Sequence, residues 1–257
     1  MLAAERRSKL AHLVRSSKIM STEGLASALA VSAETIRRDL LLLEKEGVLE
    51  RVHGGATVRG QSVVASEPSF EVRSEGELSR KQRIAAVAAD LVPAGSMVMI
   101  DVGTTAMLAA RALPHTLSAT VVTTSLRVAV ELSDRPGIDV IVAGGRMRSG
   151  DLALSGMATE ALLADIHFDI ALLGSGGLHP EAGLTDFYLE EARTRRTIIA
   201  NTTSPYVLCD ATKFGKVARY RVAAFEDLAG VIVDEKPGSE LDAALRAAGT
   251  DMIVATT

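Results

Sequence analysis

From residue 96 to the C-terminal end, short apolar stretches of β character alternate with helical patterns. This alternation restricts the fold more than any other feature. The β-like stretches lie at 97–100, 119–123, 138–143, 168–173, 206–209, 230–233 and 251–254. Apolar residues at helical spacing fill 105–113, 125–132, 157–164, 188–200 and 239–248. Strands that are apolar almost throughout, separated by helices, predict a mostly parallel sheet covered on both faces. A further helix is expected from about Ser79, carrying Ile84, Val87, Ala88 and Leu91. The larger part of the chain, 79–257, therefore reads as an α/β domain.

In such sheets ligands bind beyond the carboxyl ends of the strands, and the polar and glycine-rich residues of this chain collect there. Asp101-Val102-Gly103-Thr104-Thr105 follows the first strand, and Thr123-Thr124-Ser125 ends the second. Gly144-Gly145-Arg146, Gly174-Ser175-Gly176-Gly177 and the run from Asp210 to Lys213 end later ones. A glycine entering a helix lets the backbone approach an anion, and hydroxyls and free helix N–H groups can bind it. Each segment alone is ordinary turn chemistry. Repeated at successive strand ends, they point to one pocket for an anionic polyol. Its candidates are Asp101, Gly103, Thr104, Thr105, Thr124, Ser125, Gly145, Gly174, Gly176, Asp210 and Lys213. Neither G-x-G-x-x-G nor G-x-x-x-x-G-K-[ST] is present, which argues against dinucleotides and nucleoside triphosphates.

The first 58 residues carry a different pattern. Leu10, Leu13 and Val14 share one helical face, and Ser21 or Thr22 can cap a second short helix through Leu25, Ala26 and Leu29. After a short turn, Ser32 can cap a third helix with Glu34 in its first turn, where the helix dipole favours an acid. Ile36, Leu40 and Leu43 recur at core spacing, which leaves Ala33, Thr35, Arg37 and Arg38 near the helix start. Gly47 is placed to end that helix. Beyond it, 48–52 and 56–58 read as strands around His53-Gly54-Gly55, a hairpin with a glycine turn. Short helices joined tightly, the last one basic and followed by a hairpin, form a winged helix-turn-helix suited to the DNA major groove. The DNA-contact candidates are Ser21, Thr22, Ser32, Ala33, Glu34, Thr35, Arg37 and Arg38, with Arg51, His53 and Gly54 in the wing. Asp39 is expected to pair with a neighbouring arginine and orient it. His53 reads equally as a phosphate contact or as a side chain packed under the glycine turn. Residues 59–78 are polar and read as a linker, with a short extended piece at Ser69-Phe70-Glu71.

Charge supports this division. Residues 1–60 hold 10 Lys/Arg against 7 Asp/Glu, whereas the remainder holds 18 against 25. A basic first segment on an acidic body places DNA contact at the N-terminal end. Cys209, the only cysteine, excludes an intrachain disulfide and a cysteine-based zinc site. The 5 histidines are scattered without a ligand spacing, so neither metal nor cofactor is expected. The charged N-terminal stretch lacks the apolar core of a signal peptide, and no run approaches a membrane span. A cytoplasmic location without membrane contact is expected.

These segments resemble the DeoR family of bacterial transcriptional regulators. The match runs through Arg6, Leu10 and Val14, then Ser32, Thr35-Ile36-Arg37-Arg38-Asp39-Leu40, then Arg51-Val52-His53-Gly54-Gly55-Ala56. It continues into Asp101-Val102-Gly103-Thr104-Thr105, Gly144-Gly145 and Asp210-Ala211-Thr212-Lys213-Phe214-Gly215. The resemblance implies a C-terminal sensor domain similar in fold to ribose-5-phosphate isomerase that binds phosphorylated sugars or their metabolic relatives. It also places Glu190, Glu191 and Arg195 on a helix that in relatives carries a glutamate and a lysine facing the pocket. Arginine at 195 departs from that lysine, Thr124 from a common asparagine, and Ser175-Gly176 from a more usual Ala-Asp. Lys213, Arg195 and the Gly103–Thr105 loop are then the expected phosphate contacts; Asp101, Glu191 and Asp210 are those for sugar hydroxyls. The expected function is a repressor of carbohydrate-metabolism genes, binding a double-stranded operator as a homo-oligomer, dimer or tetramer. The alternative is a sugar-phosphate isomerase-like enzyme carrying a DNA-binding module, its Asp101, Asp210 or Glu191 serving as acid or base.

Overall fold

The computed structural model describes residues 3–17, 19–45, 48–52, 55–58 and 67–256. The chain forms two units, one N-terminal and one built from 67–214 and 219–256. The first runs α1 (Ala3–Ser17), β1 (Ile19–Ser21), α2 (Thr22–Leu29), α3 (Ala33–Lys45), β2 (Leu49–Val52) and β3 (Gly55–Val58). The three strands pair antiparallel in the order β1-β3-β2. Leu10, Val14, Leu25, Ile36, Leu40, Leu43 and Leu49 close a single apolar core beneath them. Ser21 is the residue that caps α2, its hydroxyl accepting from the Gly24 N–H at 3.0 Å. The turn into α3 passes through Ala30 in the left-handed region, φ 52°. Ser32 then accepts from the Thr35 N–H at 3.2 Å, satisfying a free donor of the first turn of α3. Gly47, His53 and Gly54 lie outside the described residues.

The second unit begins with α4 (Phe70–Glu75) and α5 (Leu78–Asp90). Next come β4 (Met97–Ile100), α6 (Thr104–Ala112), β5 (Ala119–Thr123), α7 (Leu126–Leu132) and β6 (Ile138–Val142). The chain continues as β7 (Arg146–Arg148), β8 (Ala153–Ser155), α8 (Met157–Ala164), β9 (Phe168–Leu173), β10 (Gly177–His179) and β11 (Gly183–Asp186). It ends with α9 (Leu189–Ala200), β12 (Thr202–Cys209), β13 (Tyr220–Ala223), β14 (Gly230–Val233), α10 (Ser239–Ala248) and β15 (Asp251–Val254). Seven of these strands form one parallel sheet in the order β15-β14-β12-β9-β4-β5-β6. Alternate residues face opposite layers. Val98, Ile100, Ile170 and Leu172 pack toward Ile84, Ala88, Ala109 and Val128 on one side. Met99, Ala171, Leu173 and Val207 pack toward Leu163, Ala192, Ile198 and Leu241 on the other.

The long apolar elements lie where the sequence places them, and the differences fall on short or polar ones. Residues 69–71 are not an extended piece: Ser69 caps α4, accepting from Val72 N–H, and Phe70 is buried. The hairpin β7–β8 and the sheet β10-β11-β13 have no counterpart in the periodicity. Thr185 and Asp186 are buried in β11, with the Thr185 hydroxyl donating to the Gly177 carbonyl at 3.2 Å. Buried polar residues with partners elsewhere in the fold break the apolar pattern that marks a strand.

Asp39 is 3% exposed, and its partner is Arg6 of α1, Nε to Oδ2 at 2.5 Å, rather than Arg37 or Arg38. A buried ion pair is costly to break on one side only, because the remaining charge stays desolvated. Asp39→Ala is expected to lower the unfolding midpoint of the N-terminal unit. Adding Arg6→Met is expected to return part of that loss, since it removes the unpaired charge. Thermal unfolding of the full chain checks this; losses that simply add would show that the two side chains do not act as a pair.

Candidate functional site

In the N-terminal unit, Arg37 and Arg38 stand on the outer face of α3, with side chains 54% and 77% exposed. Both flank Glu34 at 3.4 Å, close enough for weak attraction and loose enough to leave the guanidinium groups free to re-pair. Ser32 and Glu34 are exposed beside them, Ala33 and Thr35 are half-buried, and Thr22 is buried. Arg51 lies in β2 opposite Ala56. Capping places the α3 N-terminus, the Leu40 face anchors it, and the arginines project outward from its first two turns. That is the geometry a groove-reading helix requires.

In the α/β unit, β4 is the first strand, and the chain builds β5 and β6 to one side of it. It then returns to lay β9 and β12 on the other side. The adjacent strands β4 and β9 are thus the topological switch point, where connections leave in opposite directions and a crevice opens beyond the carboxyl ends. Ile100 is level with Leu172 and with Thr123, so the ends of β4, β9 and β5 lie side by side. Asp101 leaves β4 and Gly174 leaves β9, and the Gly174 N–H donates to Asp101 Oδ2 at 2.9 Å. A Cβ on Gly174 would lie 2.9 Å from the Val102 carbonyl oxygen, so glycine is needed for this closeness.

Arg195, from the second turn of α9, closes the cluster. Its Nε donates to Asp101 Oδ2 at 2.6 Å, its Nη1 pairs with Asp186, and its Nη2 lies 3.9 Å from Glu191. The guanidinium faces carboxylates on three sides, where the sequence reading had it as a phosphate contact. Glu191 in turn accepts from Arg148 Nε at 2.9 Å, and the Arg148 guanidinium stacks 4.0 Å from the Tyr188 ring centre. Burial pushes the Glu191 carboxyl from its ordinary 4.5 up to about 7, against the opposing pull of Arg148.

Groups that suit an anion follow the ends of β4 and β12. Gly103, at φ 122°, caps α6, and no atom lies within 4 Å of where its Cβ would stand. Thr104 and Thr105 open that helix, whose first N–H groups carry the positive end of the dipole. At the end of β12, Asp210 caps a turn by accepting from Thr212 N–H at 3.0 Å. The turn delivers Lys213, whose ammonium lies 5.8 Å from the centre of the Phe187 ring, next in sequence to Asp186. Lys81 of α5 is buried nearby and donates to the Gly76 carbonyl at 2.7 Å. Burial lowers its pKa, and Asp210 and Lys213 both act on its charge.

The remaining sequence candidates hold the scaffold. Ser125 caps α7 by accepting from Val128 N–H at 3.3 Å, and the Thr124 carbonyl accepts from Leu154 N–H at 2.7 Å. A Cβ at Gly145 would meet Thr159 Oγ1 at 2.2 Å, and one at Gly176 would meet the Thr185 carbonyl at 2.8 Å. Both glycines therefore answer to close packing. Asp186, Arg148 and Lys81 escaped the sequence reading. Asp186 had one available signal, since an acid just before Tyr188 and Leu189 can accept from free N–H groups at a helix start. Its Oδ1 takes those of Phe187 and Tyr188 at 2.6 and 3.2 Å.

Because Glu191 is harder to ionise in the fold than in the unfolded chain, the folded state holds the extra proton between its two pKa values. Its contribution to stability is therefore greatest below about pH 4.5, and falls up to about pH 7. Thermal unfolding across that range is expected to show a downward trend in the wild type that Glu191→Gln lacks. A constant gap between the two proteins would mean that Glu191 is ionised throughout.

Residues 6–62 match the DeoR-like helix-turn-helix domain and residues 77–235 match the DeoR C terminal sensor domain. The chain is similar to the HTH-type transcriptional regulator GolR of Listeria innocua, 31% identical over 99% of this chain and 100% of that one. It is 33% identical to the glycerol-3-phosphate regulon repressor of Escherichia coli over 92% of this chain and 93% of that protein. Among solved structures, ribose 5-phosphate isomerase A of Methanocaldococcus jannaschii covers 52% of this chain at a TM-score of 0.39 and 19% identity, too loose a likeness to carry an argument. With both of its units matched and full-length relatives at this identity, the chain belongs to the DeoR family of DNA-binding transcriptional regulators.

Proposed function

We propose that this regulator is a repressor whose hold on its operator is set by a phosphorylated sugar, or a close metabolic relative, bound at the β4/β9 switch point. The observation that carries the reading is the presence of two unlike sets of groups at the ends of β4, β9 and β12. One offers carboxylates that accept from hydroxyls, and the other offers a helix N-terminus and a lysine for an anion. Gly103, Thr104, Thr105 and Lys213 take the phosphate. Asp101, Glu191 and Asp210 take the hydroxyls. Arg195, held among carboxylates, presents them and does not grip the phosphate itself. The named role of the E. coli relative makes glycerol 3-phosphate one compound to try, beside hexose phosphates. Binding without turnover suffices for this task. A homo-oligomer, dimer or tetramer, suits a two-fold operator, and the site of action is the cytoplasm. No helix among the described residues is long and apolar enough to cross a membrane.

Fluorescence anisotropy on DNA from upstream of the protein's own gene tests both halves. Arg37→Ala with Arg38→Ala is expected to weaken binding by roughly tenfold or more and to reduce the salt slope by about 1 to 2. Unchanged affinity would remove α3 as the reading helix. Lys213→Ala is expected to leave DNA affinity intact while raising the concentration of phosphorylated compound needed for half-response by about tenfold or more. An unshifted response curve would remove Lys213 from the site.

A further inference from the structure

Side chains of alternating sign run without a break from the strand-end cluster to the start of the second unit. Arg195 Nη2 faces Glu191 Oε2 at 3.9 Å, and Glu191 Oε1 accepts from Arg148. Arg148 also pairs with Asp151, in the turn of the β7–β8 hairpin, and Asp151 pairs with Arg73 of α4. Arg73 then reaches Glu67 at 3.0 Å. The interior members are sheltered, with side chains 5% exposed at Asp151, 10% at Glu191 and 13% at Arg73. Charges in such surroundings feel one another more strongly than surface pairs do. Glu67 and Arg73 lie within 59–78, the stretch read from the sequence as the linker that follows the helix-turn-helix unit.

Each of the middle groups divides itself between two partners: Arg148 between Glu191 and Asp151, and Asp151 between Arg148 and Arg73. A ligand hydroxyl that engages Glu191 loosens its grip on Arg148. Arg148 then draws closer to Asp151, and Asp151 holds Arg73 less. Arg73 anchors α4 further, through its Nε to the Pro68 carbonyl at 2.9 Å and through its own carbonyl, which accepts from Lys81. We infer that this row of ion pairs carries occupancy of the strand-end site to α4, the first helix of the second unit, with Arg148 and Asp151 as its positioning residues. The inference rests on reading the strand ends as the effector site.

A double-mutant cycle between Glu191 and Arg73 tests it. The two share no contact and are joined through Arg148 and Asp151. The full chain, free of DNA and ligand, is compared as wild type, Glu191→Gln, Arg73→Gln and the double variant. The readout is amide hydrogen exchange of 70–75, normalised to exchange in α10 so that a general loss of stability cancels. Glu191→Gln is expected to speed exchange in α4. The double variant is expected to fall short of the product of the single effects by at least roughly twofold. In an Asp151→Asn background the effect of Glu191→Gln on α4 is expected to vanish. If Glu191→Gln does not fold, Glu191→Asp, which withdraws the carboxylate by one methylene, takes its place in the cycle. Effects that multiply, or an α4 indifferent to position 191, overturn the route. Because no ligand is present, that result leaves the effector reading to its own titration.

Discussion

A guanidinium buried among carboxylates is the constraint around which the α/β unit is arranged. Arg195 is 4% exposed, and such a charge is tolerated only where its hydrogen bonds are made in good geometry. Asp101 from β4 and Asp186 from β11 meet it directly, and Glu191 approaches it from one turn earlier on α9. One side chain therefore ties the end of β4, the small second sheet and α9 together. Gly174 leaves room for it: a Cβ there would stand 3.4 Å from Arg195 Nη2. The cluster holds Asp101, Asp186 and Glu191 together beyond the carboxyl ends of β4 and β9. In the proposed effector site these carboxylates are the hydroxyl side, and the α6 terminus and Lys213 are the phosphate side.

The N-terminal unit uses the same device on a smaller scale. Asp39 is buried on α3, and Arg6 crosses from α1 to meet it, so the pair fixes the helix that carries Arg37 and Arg38. The exposed arginines stay free of strong partners because Glu34 holds them only loosely. Buried pairs set geometry in both units. The distribution of charge along the sequence reflects this split, basic at the N-terminal end and acidic beyond.

The parallel sheet was legible because its strands are buried on both faces, and burial on both faces leaves a continuous apolar signature. Met97–Ile100, Ala119–Thr123 and Phe168–Leu173 match the sequence reading at both ends. The N-terminal helices were legible through their caps at Ser21 and Ser32. Asp101 and Gly174 were legible from the strand ends and Glu191 and Arg195 through the family resemblance, and the structure brings them into one cluster. Arg148 and Asp151 were not legible, because their meaning depends on partners 43 and 78 residues away. Local spacing carries no trace of such pairings. For α4, the signal lay in Ser69 preceding Phe70, a cap outweighed by the polar character of the surrounding stretch.

Isothermal titration calorimetry of the full chain with matched pairs of phosphorylated and free sugars separates a two-sided site from a one-sided one. One phosphorylated compound is expected to bind, and its free counterpart to bind at least about tenfold more weakly. Asp101→Asn should weaken binding of the phosphorylated compound as well, since the hydroxyl side and the phosphate side belong to one site. Equal affinity for the free and phosphorylated forms, or binding that ignores Asp101, would contradict a site built from these two strand-end clusters.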